Sequence, residues 1–216
     1  MVSPSVIVSF TLLGVVPLVA KVLIGVIQRR KRLGVFKKPK RFDANVVVVG
    51  GGSAGLVTSL IVAGAKAKVV LVEKHRMGGD CLYTGCVPSK SIIRSGRIMS
   101  YIRRAADYGI VDAAGKVDFA AVMQRVQGVI ETIEPHDSPE RFTSLGVDCM
   151  SGAARLISPY EVEVGGKIIT TESIVIASGA RPFVPPVPGL ADIDYLTSDN
   201  VWSLTELPPR LLVVGG

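Results

Sequence analysis

No charged side chain occurs in the first 20 residues, and no acidic one before Asp43. A secretory signal needs basic residues ahead of its apolar core, so the absence argues against one. Histidine and cysteine are scarce, at two and three residues. No repeat at solenoid spacing is present, and the composition excludes a disordered chain or a collagen-like one. Nor is positive charge spread over the chain: residues 1–43 carry nine Lys or Arg against Asp43 alone, and the net +7 divides into +8 there and −1 over the other 173 residues. A near-neutral remainder does not make a nucleic-acid footprint, and no nucleic-acid partner is expected.

What the first segment does have is apolar length. Val6 to Ile27 holds a single charge, Lys21, and as a helix at about 1.5 Å per residue it would reach roughly 33 Å, enough for a hydrocarbon core. The mean hydropathy of +0.44 agrees. Lys21 lies near the end of the run, where its ammonium can snorkel, and Gly14 and Pro17 are tolerated in membrane helices. Arg29, Arg30, Lys31, Arg32, Lys37, Lys38, Lys40 and Arg41 follow. The positive-inside rule then predicts a single-pass anchor with the remainder of the chain on the cytoplasmic side and lipid as a partner of residues 6–27, a signal peptide or a merely interfacial helix being the alternatives.

Behind a linker at residues 34–44, Asn45–Val49 is an apolar β-branched run ending in three glycines, with small and apolar residues from Ser53 to Ala65 and a second apolar run at Lys68–Val72. Strand, turn, helix and strand over residues 45–73 predict one βαβ unit of a parallel sheet. Pro88 to about Ala106, and Phe119 to about Leu145 with a break near Pro135, read as helical. Tyr160–Val164 and Lys167–Thr170 flank Gly165-Gly166 as a hairpin. Ser173–Ala177 reads as a further strand, and Leu211–Gly216 repeats the pattern of strand followed by glycine.

Gly50, Gly52 and Gly55 form a G-x-G-x-x-G between a predicted strand and helix, the setting in which glycines let backbone approach a pyrophosphate lying on helix amides. Glu73 ends the next strand, where its carboxylate can accept from an adenosine ribose, and favours FAD or NAD over NADP. An ordinary glycine-rich turn is the alternative. Cys81 and Cys86, five apart beside this motif, suggest a redox-active disulfide in a reducing compartment, with buried thiols or half of a metal site as the alternatives. His75 and His136 are the only histidines, so further ligands for a metal are lacking and none is expected. Pro88 predicts that the cysteines sit at a helix amino terminus, where dipole and free amides lower a thiol pKa.

The run GGDCLYTGCVPSK from Gly78 to Lys90 resembles the active-site signature of the pyridine nucleotide-disulfide oxidoreductases, closest to their mercuric reductase-like and dihydrolipoamide dehydrogenase-like branch. GGGSAG at 50–55, Glu73 and IVIASGARP at 174–182 match the family in order, and the resemblance covers about residues 44–216. It implies an α/β, FAD-binding Rossmann-like domain of the glutathione-reductase type at 44–210, preceded by the transmembrane anchor and basic flank at 1–43. Residues 211–216 would begin a truncated NAD(P)-binding domain. By motif position, Gly50, Gly52, Gly55 and Glu73 would hold the ADP half of FAD, and Gly79, Lys90, Ala153, Ser178 and Gly179 would line the rest. Cys86 would face the flavin and Cys81 would attack the substrate.

The reaction this resemblance implies is hydride from NAD(P)H to FAD, electrons to the Cys81–Cys86 disulfide, then exchange with a disulfide or delivery to a metal ion. The nicotinamide site and the His-Glu pair supplied by a partner subunit would lie in the family's later domains, so the chain looks like the amino-terminal portion of a homodimeric enzyme, inactive alone. His75 and His136 match neither position of that pair. Tyr83-Thr84 stands where the family commonly has Asn-Val. Cys149 reads as a buried thiol. The rival reading is a membrane-tethered FAD-binding module without disulfide chemistry, or a flavoprotein that reduces a quinone.

Overall fold

The computed structural model describes residues 17, 19–28, 31 and 34–215. Residues 19–28 are helical and exposed, and no helix among the described residues is long and apolar enough to cross a membrane. The expected span Val6–Ile27 lies for the most part outside the described residues.

Valine-rich runs make the first two strands, β1 (Ala44–Val49) and β2 (Val69–Glu73), joined by α1 (Ser53–Gly64). They pair in parallel with Val46 opposite Val69, completing the predicted βαβ unit. Downstream lie α2 (Gly79–Tyr83), α3 (Cys86–Arg103), α4 (Phe119–Ile133) and α5 (Pro139–Ser144). The break expected near Pro135 is a 3-10 turn at Glu134–Asp137. Asp118 caps α4 by accepting from Ala121 N at 3.0 Å, so α4 starts where the apolar spacing begins.

Four more strands complete the sheet: β3 (Val147–Ser151), β4 (Ala154–Ser158), β5 (Glu161–Val164) and β6 (Lys167–Ile176). The order is β3-β2-β1-β6-β5-β4. Gly165 and Gly166, with φ of 56° and 82°, turn β5 into β6 as the sequence predicts. Lys167–Thr170 and Ser173–Ala177, read as two strands, are one. The amino-terminal half of β6 pairs with β5 and the carboxy-terminal half runs parallel to β1. The polar interval does not break it: Thr171 is buried, and its N–H and hydroxyl find the carbonyls of Tyr160 and Ser173 at 2.8 and 2.9 Å. At its neighbour, the Asp43 carboxylate accepts from both Thr170 N–H and hydroxyl, which holds its carboxyl below the usual range.

Residues 211–215, predicted to open a second strand and glycine turn, are exposed and belong to no strand. An apolar run becomes a strand only where a neighbour supplies its ladder bonds. The core lies on both faces of the sheet. Val48, Leu71 and Val147 face Leu56 of α1 and Phe142 of α5, while Val47, Val70 and Val72 pack under the β4–β6 meander through Val162, Val164 and Ile169. A third cluster joins Leu82 of α2 to Val126 and Ile130 of α4. Phe142 is 1% exposed and the largest fully buried side chain. Phe142→Ala therefore lowers unfolding free energy by about 3–5 kcal/mol, read as a drop in the urea midpoint with the slope unchanged.

Candidate active site

The carboxy-terminal edge of the sheet is where β1 has β2 on one side and β6 on the other, the switch point at which α/β sheets open a crevice. The turn from β1 to α1 closes there without side chains. Gly50, at φ 109°, donates to Val72 O at 2.8 Å, and a Cβ on it would run into the Ala177 carbonyl. A Cβ on Gly55 would collide with the Gly50 carbonyl oxygen. Gly52 differs: it caps α1 at φ −81°, and an added Cβ would meet nothing nearer than Gly79 Cα at 3.8 Å. No side chain caps α1, so its first amides open onto this space, as an anion site requires.

Two other segments meet the turn. Gly79, at φ 55°, comes so close that its Cβ would stand 2.7 Å from Gly52 Cα, and Gly78 N donates to Gly51 O at 2.8 Å. From β6, Ala177 N donates to Val49 O at 2.8 Å and carries Ser178 and Gly179 past the turn. Both are exposed, and a Cβ on Gly179 would lie 3.9 Å from Asp80 Oδ2. Glu73 is already engaged: Oε2 accepts from Gly51 N at 2.6 Å and Oε1 from His75 N at 2.7 Å. Gly152 N donates to Glu73 O at 2.9 Å and sets exposed Ala153 beside that strand end. A cavity of about 330 Å³ opens next to Glu73, lined by His75, Arg76, Met77, Tyr83 and Ser151 among others. The structure thus brings together Gly50, Gly52, Gly55, Gly79, Ser178 and Gly179 at one crevice, with Glu73 and Ala153 at its β2–β3 end.

The thiols flank a two-residue break between helices. Cys81 lies in α2, half-buried, and Cys86 is the first residue of α3, exposed; both are free. The neighbouring Cys81 side chain and its charge push the Cys86 thiol up. Exposed Lys90, one turn further on, pulls it the other way. The expected lowering at a helix amino terminus is therefore reversed at Cys86, because the second proton of a close pair leaves against the charge of the first. Cys149 on β3 is half-buried as predicted, and burial pushes its thiol up.

The partners that hold the cysteine turn, Glu134 and Trp202, lie outside the signature run and are marked by no motif. Tyr83 donates to Glu134 Oε1 at 2.7 Å beneath the Arg76 guanidinium, 3.8 Å from the ring centroid. Burial and Glu134 push Tyr83 up to about 12, so it stays a neutral donor. Trp202 Nε1 donates to Thr84 O at 2.9 Å. These partners lie 51 and 118 residues from the turn, beyond the reach of any local pattern.

Fold and site define a dinucleotide-binding α/β domain that carries a dithiol. The profile of the pyridine nucleotide-disulphide oxidoreductases matches residues 44–216, and the chain belongs to that family, whose members depend on FAD and NAD(P)H. It is 33% identical over 173 residues to a mercuric reductase of Staphylococcus aureus, covering 80% of this chain and 32% of that protein. To a dihydrolipoyl dehydrogenase of Acholeplasma laidlawii it is 32% identical over 180 residues, covering 81% and 53%. The Cu(II) complex of the HOCl-induced flavoprotein disulfide reductase RclA from Escherichia coli shares its fold with a TM-score of 0.58 at 26% identity, over 76% of this chain and 34% of the other. The chain thus spans about a third to a half of these relatives.

Two outcomes test the site. Gly52→Ala has room for its Cβ and keeps its melting temperature but loses FAD binding by calorimetry, whereas Gly55→Ala costs about 2 kcal/mol or more of stability. Cys81→Ala moves the pH midpoint of Cys86 alkylation downwards and Lys90→Met moves it upwards, as iodoacetamide rates against pH report.

Proposed function

We propose that this chain is the flavin-binding part of an NAD(P)H-dependent disulfide oxidoreductase working through Cys81 and Cys86. The observation that carries the reading is the placing of two free thiols on either side of one helix break, with Gly79 at the start of the first helix lying against Gly52 at the open amides of α1. FAD fits this cradle, since no side chain caps the first amides of α1 and an added Cβ at Gly52 would meet nothing nearer than 3.8 Å, which leaves the backbone open to a diphosphate. Gly50, Gly52, Gly55 and the α1 amides would hold its diphosphate, Glu73 its adenosine, with Ala153 placed beside Glu73 and not with the remainder that motif position implies, and Gly79, Lys90, Ser178 and Gly179 would line its flavin half. When bound, FAD supplies two-electron transfer between a reduced nicotinamide and the Cys81–Cys86 disulfide.

The chain's own residues then carry the exchange. The Cys81 thiolate attacks one sulfur of a substrate disulfide, whose other sulfur leaves and takes a proton. With Cys81 uncharged in the mixed disulfide and Lys90 nearby, Cys86 gives its proton to water and attacks Cys81 Sγ, closing Cys81–Cys86 and releasing the second substrate sulfur as a thiolate that takes a proton from water. One disulfide is reduced and one dithiol oxidised. The same soft pair suits a thiophilic metal ion, and the likeness to a mercuric reductase supports mercuric ion as an alternative substrate. Residues 6–27 anchor the protein in a membrane with the flavin domain on the cytoplasmic side, a reading supported by their apolar length and the basic flank behind them.

The test is anaerobic photoreduction of the FAD-loaded chain with thiols mapped by maleimide labelling. Two new thiols appear, at Cys81 and Cys86, while Cys149 labels equally before and after. An unchanged thiol count would support the flavin-binding module without disulfide chemistry and overturn the proposal.

A further inference from the structure

Between Cys81 and Cys86 the chain leaves helical structure only at Thr84 and Gly85. The Thr84 carbonyl accepts from the Trp202 indole N–H at 2.9 Å, across 118 residues of chain. That N–H is shared with the Ser198 carbonyl at 2.7 Å, and Gln127 of α4 holds the Trp202 carbonyl through Nε2 at 3.3 Å. Trp202 is half-buried, lies in the 3-10 turn Val201–Ser203 and is the only tryptophan in the chain. Thr84 N–H donates to Asp80 O at 2.9 Å, while a Cβ on Gly85 would stand 2.8 Å from that same oxygen. The break between the thiols is thus pinned from inside by Asp80 and from outside by Trp202.

We propose that Trp202 is a positioning residue for the Cys81/Cys86 couple: by holding the Thr84 carbonyl it couples the redox state of the two thiols to the docking of residues 197–204. The inference rests on the disulfide chemistry proposed above. A disulfide demands sulfurs at about 2.05 Å and a confined range of backbone separations, roughly 4.4–6.8 Å between Cα atoms. Both thiols are free, so closing the disulfide draws Cys81 and Cys86 to that separation, and Thr84, in the break between them, is placed to shift with them. A bond from Trp202 that differs in strength between the two states acts in both directions. Disulfide formation alters how residues 197–204 dock, and their docking alters how readily the disulfide forms. Gln127 makes the device stiff by fixing the backbone of Trp202 to α4, which packs against α3.

The experiment equilibrates the FAD-loaded 216-residue chain anaerobically in mixtures of reduced and oxidised dithiothreitol. Each Cys81–Cys86 disulfide reduced to two thiols closes one dithiothreitol to its cyclic disulfide. Thiols are counted by maleimide mass and Trp202 emission is read in the same samples. Emission and thiol count should change at one shared ratio, and Trp202→Phe should move the thiol midpoint two- to tenfold, the effect of losing one hydrogen bond from one redox state more than the other. A merely structural Trp202 would lower the melting temperature and leave the midpoint in place. Emission identical in both redox states, or a midpoint unmoved in Trp202→Phe, overturns the coupling; should that variant fail to fold, the emission of the unaltered chain decides alone. Absence of any Cys81–Cys86 disulfide at every ratio is a different result: it removes the proposed function itself, and this inference with it.

Discussion

Backbone resting directly on backbone, at Gly50 against Gly55 and at Gly52 against Gly79, is the constraint on which the other features of the site depend. The first contact lets α1 begin after only three residues beyond the end of β1, so its uncapped amides face the crevice and not solvent at large. The second brings α2, and Cys81 within it, against the same turn. A single methyl at Gly55 would meet a carbonyl oxygen, and one at Gly79 would meet Gly52 Cα at 2.7 Å. Neither neighbour is the end of a flexible side chain, so relief must come from shifting a strand held by Val47 and Val48, both fully buried.

Around this contact the charged and polar groups do two jobs each. Glu73 ties the glycine turn to β2 through the Gly51 amide before any ribose is present, so its carboxylate is aimed by the backbone it supports. Cys86 carries its proton against the charge of Cys81, with Lys90 opposing the effect from the next turn of α3. Tyr83, kept neutral by burial and by Glu134, donates across to the 3-10 turn that follows α4 and anchors the end of α2. The thiol pair therefore sits between two helices whose relative placement is set by hydrogen bonds from distant parts of the chain.

Much of this was legible in the sequence because it is local. The βαβ unit, the hairpin at Gly165-Gly166 and the break near Pro135 follow from periodicity and turn chemistry within a few residues. The glycine turn, Glu73 and the cysteine pair are likewise close in the chain, and the family signature adds Ser178 and Gly179. What escaped is non-local or collective. β6 reads as two strands because its polar interval, Thr170–Ser173, finds partners far away in the chain, at Asp43, Asn45 and Tyr160. The Cys86 proton is held by a neighbouring thiol, which overrides the helix terminus that the sequence made visible. Trp202 has no periodic signature, and only the folded chain brings it to Thr84.

The most direct measurement is a crystal structure of this chain with FAD bound. The account predicts the diphosphate on the amides of α1 beside Gly52, the adenosine at Glu73 and the flavin ring against Cys86 between Lys90 and Gly179. FAD seated away from the Gly50–Gly55 turn, or a flavin remote from both thiols, would contradict it.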